Sequence, residues 1–384
     1  MTGGRLIILA AGGTGGHLFP AEALAQELTV RGWRAAMMTD QRGQAFGDPR
    51  MKAGDLDLDL YRIRAGRPEA GVVSKLVAAT EIWRGMREAQ RLLRQLAPAC
   101  VAGFGGYPSV PTVLAAARLG IPTLIHEQNA LLGRANRLLA PRVQRIATSF
   151  AETGGIQAKD RPKVLLTGNP VRPAIALMRQ TGYAEFDPEA PFRLLVMGGS
   201  QGARILAAVV PRALAALAPA LRRRLDVSQQ ARPEDLDAAR EVYRAAGVEA
   251  DVAAFFDDVP LRMASAHLVI SRAGASSIAE LATIGRPAIL VPFARAAEDH
   301  QTLNARAFAT GSAGWVMSEP AFTANALAAR LTHLMAERDL LAKAAAAAAS
   351  HGRPLAARAL ADLVVDLVGG ANGHHSPSER RNAA

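Results

Sequence analysis

Glycine-rich turns recur along this 384-residue chain, and the first of them ends in a histidine. It occupies residues 12–17 (GGTGGH), between a short apolar run and a helical pattern, so that it joins a strand to a helix. Turns of this kind present backbone N–H groups to phosphates at the carboxyl edge of a parallel sheet. An imidazole at that edge, here His17, can accept a proton near neutral pH. The pattern therefore indicates phosphate binding next to a general base.

The residues alone allow other interpretations of this turn. A dinucleotide-dependent oxidoreductase would use Asp40, after the second predicted strand, to bind a ribose. However, residues 12–17 do not complete G-x-G-x-x-G, because Leu18 stands in place of the third glycine. His17 could also cap the adjacent helix. One glycine turn is weak evidence, since tight turns need glycine for steric reasons, but several turns in both halves of the chain favour ligand binding.

The elements around these turns predict two Rossmann-like halves. Strands alternate with helices, which is typical of a doubly wound parallel sheet, and the pattern restarts after a proline-rich interval. The predicted strands are 6–10, 34–39, 99–103, 122–126, 193–197, 268–271 and 287–291, and the predicted helices are 20–31, 112–118, 203–217, 324–350 and 354–368.

This alternation divides the chain into an N-terminal domain at 1–165 and a C-terminal domain at 166–350. A C-terminal helix at 351–368 follows. Residues 369–384 are mainly Gly, Asn, His, Ser and Arg, which predicts a disordered tail because the segment lacks apolar anchors.

Composition excludes several classes of protein. Half of the residues are hydrophobic and 21% are charged, which is globular composition and excludes collagen, coiled coil and wholesale disorder. The single cysteine, Cys100, permits neither an intrachain disulfide nor a cysteine zinc cluster. The apolar run Leu6–Ala11 is too short for a signal peptide, and no stretch reaches the ~18 to 20 apolar residues that span a bilayer. These features predict a cytoplasmic protein.

The net charge of +11 is carried by 40 Arg and only 5 Lys, and residues 1–160 account for +7 of it. Such an excess fits nucleic acid, an anionic membrane surface or phosphorylated substrates. It also fits a compositional bias of the source genome, so charge alone does not choose between these partners.

Residues 75–94 combine apolar and basic side chains at helical spacing. Arginines and a lysine accompany the apolar positions Leu76, Val77, Ile82, Trp83 and Met86. The combination predicts a helix that contacts an anionic membrane surface. The alternative is an ordinary helix packed on the sheet, which we expect for its second half.

Three alternating aspartates, Asp55, Asp57 and Asp59, have a spacing that could hold a divalent cation. Leucines occupy the positions between them, and strict alternation is typical of a half-buried strand. We therefore predict no metal site there.

Seven motifs resemble, in order and across nearly 300 residues, those of the MurG family of bacterial glycosyltransferases. They are GGTGGH at 12–17, GFGGYPS at 103–109, HEQN at 126–129, TGNPVR at 167–172, GGSQGA at 198–203, RAGASSIAE at 272–280 and DHQTLNA at 299–305. The resemblance implies an α/β protein of the GT-B fold: two Rossmann-like, doubly wound parallel-sheet domains facing across a cleft. The N-terminal domain would hold the acceptor and the C-terminal domain the sugar nucleotide.

The resemblance also implies an activity. It is inverting transfer of N-acetylglucosamine from UDP-GlcNAc to the 4-hydroxyl of lipid I (undecaprenyl-pyrophosphoryl-MurNAc-pentapeptide), which gives lipid II and UDP in peptidoglycan synthesis. The enzyme would lie peripherally on the cytoplasmic face of the inner membrane, near other proteins of cell-wall synthesis. Neither a metal, nor another cofactor, nor nucleic acid is expected.

Individual roles follow from the matched motifs. His17 would be the general base, and the turn formed by Gly105, Gly106 and Tyr107 would hold the acceptor pyrophosphate. The residues that would bind substrate are Thr14, Gly15, Gly16, Asn129, Arg172, Ser200, Glu280 and Gln301. For Glu280 the residues alone offer another interpretation, because Ser277 and Glu280 have the S-x-x-E spacing of a helix capping box. Phe256 would meet uracil through its backbone, and Asn304 would support the site.

Two other functions remain possible at this point. One is a different GT-B enzyme that uses UDP-GlcNAc, such as a 2-epimerase or a transferase with another acceptor. The other is a non-catalytic module that binds a nucleotide sugar, in which His17 would be dispensable.

Overall fold

The computed structural model describes residues 5–12, 15–40, 58–66, 72–187, 190–199, 202–294 and 296–372. The chain divides into two compact units: unit 1 is Met1–Arg172 with Leu355–Ala384, and unit 2 is Pro173–Pro354. The first boundary therefore lies after residue 172 rather than after 165. The reason is local, since the N–H groups of Thr167 and Gly168 both donate to the Thr148 oxygen at 3.1 Å and keep this segment with unit 1.

Unit 1 contains a seven-stranded sheet in which every pair of neighbours is parallel, in the order β3-β2-β1-β4-β5-β6-β7. Its strands are β1 (Leu6–Ala10), β2 (Arg34–Asp40), β3 (Asp59–Ile63), β4 (Cys100–Gly103), β5 (Thr123–Glu127), β6 (Arg145–Thr148) and β7 (Val164–Leu166). The central strands β1 and β4 are apolar and almost completely buried, as expected for a parallel sheet with helices on both faces. The helices in its first segment are α1 (Gly15–Val30), α2 (Val72–Leu96), α3 (Ser109–Arg118) and α4 (Arg134–Leu139).

Unit 2 repeats this architecture with six parallel strands in the order β10-β9-β8-β11-β12-β13. They are β8 (Phe192–Met197), β9 (Leu225–Gln230), β10 (Glu249–Ala253), β11 (Leu268–Ser271), β12 (Ala288–Leu290) and β13 (Gly314–Val316). Its helices are α5 (Pro173–Met178), α6 (Arg204–Ala215), α7 (Pro219–Arg222), α8 (Leu236–Ala246), α9 (Val259–Ser265), α10 (Ala275–Ile284), α11 (His300–Ala309), α12 (Ala324–Ala336) and α13 (Arg338–His351). The helix predicted at 324–350 is thus two helices, because Glu337 leaves the helical conformation (φ −103°, ψ 74°).

The last helix, α14 (Ala356–Asn372), belongs to unit 1 and not to a separate segment. Its Leu360 and Val364 are fully buried in the same apolar cluster as Leu24 of α1. Arg31, the residue after α1, donates through Nη1 to Asp362 Oδ1 at 2.6 Å. The helix also continues past the predicted start of the tail at residue 369, through Gly369 and Gly370, each of which costs a helix only about 1 kcal/mol. Residues 373–384 lie outside the described part of the chain.

A buried arginine joins three segments of unit 2. The side chain of Arg286 is 1% exposed, and its donors reach carbonyl oxygens of Gly182, Met263, Ala264, Ile284 and Gly285. The Met263 and Ala264 oxygens lie at the end of α9, and the Ile284 oxygen ends α10, where carbonyls lack helical partners and carry partial negative charge. Burial lowers the pKa of Arg286 to about 10, so the guanidinium stays charged at neutral pH.

Candidate active site

Each sheet reverses its strand order beside its first strand, and glycine turns follow the strands on both sides of that point. In unit 1 these strands are β1 and β4, and in unit 2 they are β8 and β11. Open parallel sheets bind ligands at such switch points, beyond the carboxyl ends of the strands. In unit 1 the two turns touch, because Gly12 N–H donates to the Gly105 oxygen at 3.1 Å.

His17 lies in the first turn of α1, beside these glycine turns. Helix α1 begins at Gly15 rather than at Pro20, because the last residues of the glycine turn are themselves helical. His17 is therefore the third residue of the helix and stands beyond the N-cap position that the capping interpretation requires. Its ring is half-buried, and its Nδ1 lies 3.1 Å from Oε1 of Gln128.

The turn after β4 requires glycine at two successive positions. Gly105 and Gly106 have φ of +87° and +73°, which L side chains rarely adopt. A Cβ on Gly105 would lie 3.3 Å from Cε1 of His17, and one on Gly106 would lie 3.0 Å from the Gly12 Cα. Tyr107 is half-buried and packs against the apolar core of unit 1. The turn thus brings bare backbone next to the His17 ring.

The HEQN motif spans the carboxyl end of β5 and forms a hydrogen-bonded network around Glu127, which is 2% exposed. Oε1 of Glu127 accepts from the backbone N–H of Asn129 at 3.0 Å and from its Nδ2 at 3.1 Å. Oε2 accepts from Gly133 N–H at 2.9 Å and from Asn136 Nδ2 at 2.8 Å. The carboxylate therefore fixes the amide of Asn129, a predicted substrate residue.

Gln128 and His126 of the same motif form a second buried network. Gln128 Nε2 lies 3.0 Å from the Phe104 oxygen and 3.1 Å from Nδ1 of His126. His126 Nε2 lies 2.9 Å from the Gly168 oxygen. Burial lowers the pKa of His126 to about 4, so its ring is neutral at pH 7. The sequence-based prediction assigned no role to Glu127, Gln128 or His126, although the motif that contains them was recognised.

In unit 2 the turn after β8 also depends on glycine. A Cβ on Gly198 would lie 2.5 Å from Ala203 N, and Gly199 and Gly202 have φ of +78° and +67°. Two predicted substrate residues, Ser200 of this turn and Thr14 of the first glycine turn, lie outside the described residues. Gly15 and Gly16 are the first two residues of α1.

Glu280 and Gln301 are placed on two neighbouring helices of unit 2. Glu280 lies in α10, whose N-cap is Gly274. Ser277 is therefore inside the helix, and the S-x-x-E spacing does not form a capping box here. Gln301 Oε1 accepts from Phe293 N–H at 2.9 Å, which leaves its amide nitrogen as the group it can offer to a ligand.

The structure also places three other predicted residues: Asn304, Arg172 and Phe256. Asn304 is fully buried and donates to the Ala273 oxygen at 3.2 Å. Arg172 is half-buried and is the last residue of the first segment of unit 1. Phe256 is 7% exposed and packs under the guanidinium of Arg262 at 4.1 Å, whereas its neighbour Phe255 is 67% exposed.

Arg272 was not assigned a role from the sequence, although it opens the RAGASSIAE motif. Its Nη1 donates to the Val291 oxygen at 3.1 Å and pairs with Glu319 at 2.7 Å. These contacts join the carboxyl ends of β11 and β12 to the segment after β13. Arg272 therefore orders the edge of the sheet from which the predicted donor residues project.

The single cysteine is not a nucleophile. Cys100 is buried, and burial raises the pKa of its thiol to about 12.

The structure describes only part of the aspartate segment considered as a cation site. Of the three alternating aspartates, only Asp59 falls in the described part of the chain, where it begins β3. Within the described ranges, no group of three or more His, Cys, Asp or Glu side chains could hold a metal ion.

Helix α2 presents a smaller apolar surface than the sequence predicts. Met86 is buried at 9% exposure and Ile82 packs against the core, so these two face the interior of unit 1. Val77 and Trp83 remain exposed at 58% and 50%, and Arg87 lies over the Trp83 ring at 4.3 Å. The side chain of Leu76 is outside the described set. No helix in the described part of the chain is both long and apolar enough to span a bilayer.

Comparisons with known proteins agree with this architecture. The glycosyltransferase family 28 N-terminal domain matches residues 7–148, and the family 28 C-terminal domain matches residues 193–360. A solved structure of MurG from Acinetobacter baumannii superposes with a TM-score of 0.78 at 30% identity, over 94% of this chain and 99% of that one. A UDP-GlcNAc 2-epimerase from Neisseria meningitidis has a TM-score of 0.64 at 14% identity, which shows a shared fold only.

Two parallel α/β units with glycine turns at their switch points define a glycosyltransferase of the GT-B fold, which confirms the predicted fold class. Relatives from Rhodospirillum centenum and Paramagnetospirillum magneticum are 53% and 54% identical, over 98% and 96% of this chain and 98% of each relative. Both are named UDP-N-acetylglucosamine–N-acetylmuramyl-(pentapeptide) pyrophosphoryl-undecaprenol N-acetylglucosamine transferase. The chain therefore belongs to glycosyltransferase family 28, in the branch formed by these N-acetylglucosamine transferases.

Proposed function

We propose that this enzyme transfers N-acetylglucosamine from UDP-GlcNAc to the 4-hydroxyl of lipid I, giving lipid II and UDP. The observation that carries the proposal is the position of His17, on the first turn of α1 against two touching glycine turns, with Nδ1 on Gln128. In a family whose named members catalyse this transfer, an imidazole there fits the general base.

The reaction we propose is a single displacement with inversion. The acceptor hydroxyl loses its proton to Nε2 of His17 as its oxygen bonds to the anomeric carbon, and the bond from that carbon to the diphosphate oxygen breaks. UDP leaves with the electron pair. A base of this kind contributes about 10²- to 10⁴-fold, and groups that stabilise the diphosphate charge contribute further.

We propose roles for the predicted substrate residues of each unit separately. In unit 2, Glu280 would bind the ribose hydroxyls, the amide nitrogen of Gln301 would bind the sugar, and Ser200 with the N–H groups of the turn after β8 would stabilise the diphosphate. In unit 1, the fixed amide of Asn129 and the guanidinium of Arg172 would bind substrate, as would Thr14, Gly15 and Gly16 at the first glycine turn.

The acceptor pyrophosphate would bind the turn after β4. Gly105 and Gly106 lack side chains, and their positive φ values form a tight turn whose N–H groups an anion can approach closely. Because Tyr107 packs against the core, we assign this binding to backbone groups and to Tyr107 only through its main chain.

The experiment that tests the function measures UDP release from UDP-GlcNAc by the purified protein, with and without a short-chain lipid I analogue, and identifies the product by mass. We expect release only with acceptor and a product heavier by one N-acetylhexosamine. UDP release without acceptor, accompanied by N-acetylmannosamine, would identify an epimerase instead. UDP-GlcNAc binding without release or product would identify a binding module.

We also propose that α2 holds the enzyme on the cytoplasmic surface of the membrane that contains the lipid-linked acceptor. Val77 and Trp83 offer exposed apolar contact, and four exposed arginines of the same helix can face anionic headgroups: Arg84, Arg87, Arg91 and Arg94. An apolar strip flanked by basic residues is typical of helices that lie in the interface. Partners from cell-wall synthesis would then meet the enzyme at this surface.

Replacing Val77 and Trp83 together by serine should weaken binding to vesicles that contain anionic lipid. Each apolar side chain contributes roughly 1.5–3 kcal/mol when fully buried, so we expect the partition coefficient to fall about ten-fold or more in sedimentation. The matched control replaces Leu177 and Leu261 of unit 2, which are 61% and 60% exposed, by serine. Equal vesicle binding by the Val77 and Trp83 variant and the wild type would refute the proposed surface.

A further inference from the structure

The buried amide of Gln128 lies between two histidine rings, and one of these rings is the candidate base. We infer that Gln128 is a positioning residue: it holds His17 in the tautomer that carries its proton on Nδ1, so that Nε2 presents the lone pair to the acceptor hydroxyl. The inference rests on the proposed function for the role of His17, but the tautomer itself can be measured independently.

The orientation of the Gln128 amide follows from its surroundings. One end of the amide faces two backbone oxygens, those of Phe104 at 3.0 Å and His126 at 3.3 Å. Carbonyl oxygens only accept hydrogen bonds, so the NH₂ group must occupy that end. The opposite end, which lies 3.1 Å from Nδ1 of His17, is therefore the carbonyl oxygen.

This orientation dictates the proton position on His17. An amide oxygen cannot donate, so Nδ1 of His17 must carry the hydrogen of the bond between them. In a neutral imidazole the second nitrogen then has the lone pair. Nε2 is consequently the nitrogen that can take a proton, and after it has done so the Nδ1–H bond to Gln128 is retained.

The contacts of His126 prevent the Gln128 amide from rotating by 180°, which would exchange its oxygen and nitrogen. Nε2 of His126 donates to the Gly168 oxygen at 2.9 Å, so Nδ1 of His126 is an acceptor. It lies 3.1 Å from Gln128 Nε2 and shares the two amide hydrogens with the Phe104 and His126 oxygens. His126 is fully buried, which keeps its ring neutral and preserves the acceptor at Nδ1. Phe104, His126 and Gly168 thus fix Gln128, and Gln128 fixes His17.

The choice of an amide over a carboxylate has a chemical consequence. A carboxylate at position 128 would accept from Nδ1 equally well, but it could not donate to the Phe104 oxygen, and its buried charge would be costly. The neutral amide selects the tautomer without adding charge near a reaction that moves two phosphate groups. A purely structural glutamine would make the same bonds to Phe104 and His126 but would have no effect on His17.

The test combines two substitutions with one spectroscopic readout. Gln128→Met keeps the length of the side chain but removes the acceptor, whereas Gln128→Glu offers an acceptor oxygen whether or not it is ionised. The tautomer of His17 is read from ¹⁵N-histidine NMR above pH 7, with the His17 signals assigned from the spectrum of His17→Ala. Initial rates are measured with UDP-GlcNAc and the short-chain lipid I analogue.

We expect wild-type His17 to be protonated on Nδ1 and to lose this preference in Gln128→Met. The kcat of Gln128→Met should fall about 10- to 100-fold, the usual range when a histidine loses its orienting bond, while the KM for UDP-GlcNAc changes less than about two-fold. Gln128→Glu should retain the Nδ1–H tautomer and have a higher kcat than Gln128→Met, although its carboxyl group cannot reproduce both bonds of the amide NH₂ group. The matched control is Gln144→Met, because Gln144 Oε1 accepts from Thr123 at 2.7 Å at the opposite end of β5 from Gln128.

Two results would overturn the inference: a wild-type His17 protonated mainly on Nε2, or a Gln128→Met protein with unchanged tautomer and kcat. A general loss of stability would instead appear in Gln144→Met as well, with no change in the His17 signals. If the wild type shows no acceptor-dependent UDP release, the proposed function fails, while the tautomer measurement still decides whether Gln128 orients His17.

Discussion

The His17→Ala variant is expected to retain about 10⁻² to 10⁻⁴ of the wild-type kcat for acceptor-dependent UDP release, the usual contribution of a general base. The affinity for UDP-GlcNAc should change little, because Nε2 of His17 acts on the acceptor hydroxyl and not on the nucleotide. Initial rates at saturating donor and isothermal titration with UDP-GlcNAc measure the two quantities separately.

His333→Ala is the matched control for this substitution, since His333 is an exposed histidine on α12 of unit 2. It should leave kcat within about two-fold of the wild type, as surface substitutions away from a site generally do. If His17→Ala kept kcat within the same range while it bound UDP-GlcNAc normally, another group would have to accept the proton, and the role assigned to His17 would be wrong.

The Arg286→Met variant should lose about 3 kcal/mol or more of unfolding free energy, because several carbonyl oxygens would lose their donor and each unsatisfied buried group costs about 1–3 kcal/mol. Methionine fills similar volume but cannot donate, so carbonyl oxygens at the ends of α9 and α10 and at Gly182 would be buried without those bonds. Urea unfolding, followed by circular dichroism, measures the loss.

Arg240→Met gives the comparison for an arginine on the surface of the same unit. Arg240 also donates to a backbone oxygen, that of Val252 at 2.7 Å, but its side chain is 52% exposed. Water can replace it, so the loss should stay under about 1 kcal/mol. Similar losses in the two variants would show that the carbonyls around Arg286 find other partners and that the arginine is not what joins these helices.

The strands could be predicted where short apolar runs precede a glycine turn by a few residues. Residues 6–10 and 268–271 were predicted as strands and are β1 and β11 with the same bounds. The start of α1 was predicted five residues late because proline favours the first helical turn, whereas here Pro20 lies in the second turn. Local residue preferences predict which elements form. They do not predict the residue at which the glycine turn becomes helix α1.

Only part of the candidate site could be predicted from the sequence. The motifs indicate which segments meet, but the contact between His17 and Gln128 joins residues 111 positions apart. No local pattern distinguishes Gln128 from its neighbours, because its role depends on the two carbonyl oxygens that orient its amide. The exposed apolar surface of α2 is smaller than the sequence predicts. Ile82 and Met86 fit the helical period, but they pack against the core of unit 1.

The position of α14 has a consequence for the order in which the protein folds on the ribosome. Unit 2 is continuous in the chain, so it can acquire all of its elements before synthesis ends. Unit 1 has its sheet early, but the face of α1 that contains Leu24 is covered only when Leu360 and Val364 emerge. The half of the enzyme that carries His17 is therefore synthesised first and completed last, and its exposed apolar face must be tolerated or shielded by chaperones during translation of unit 2.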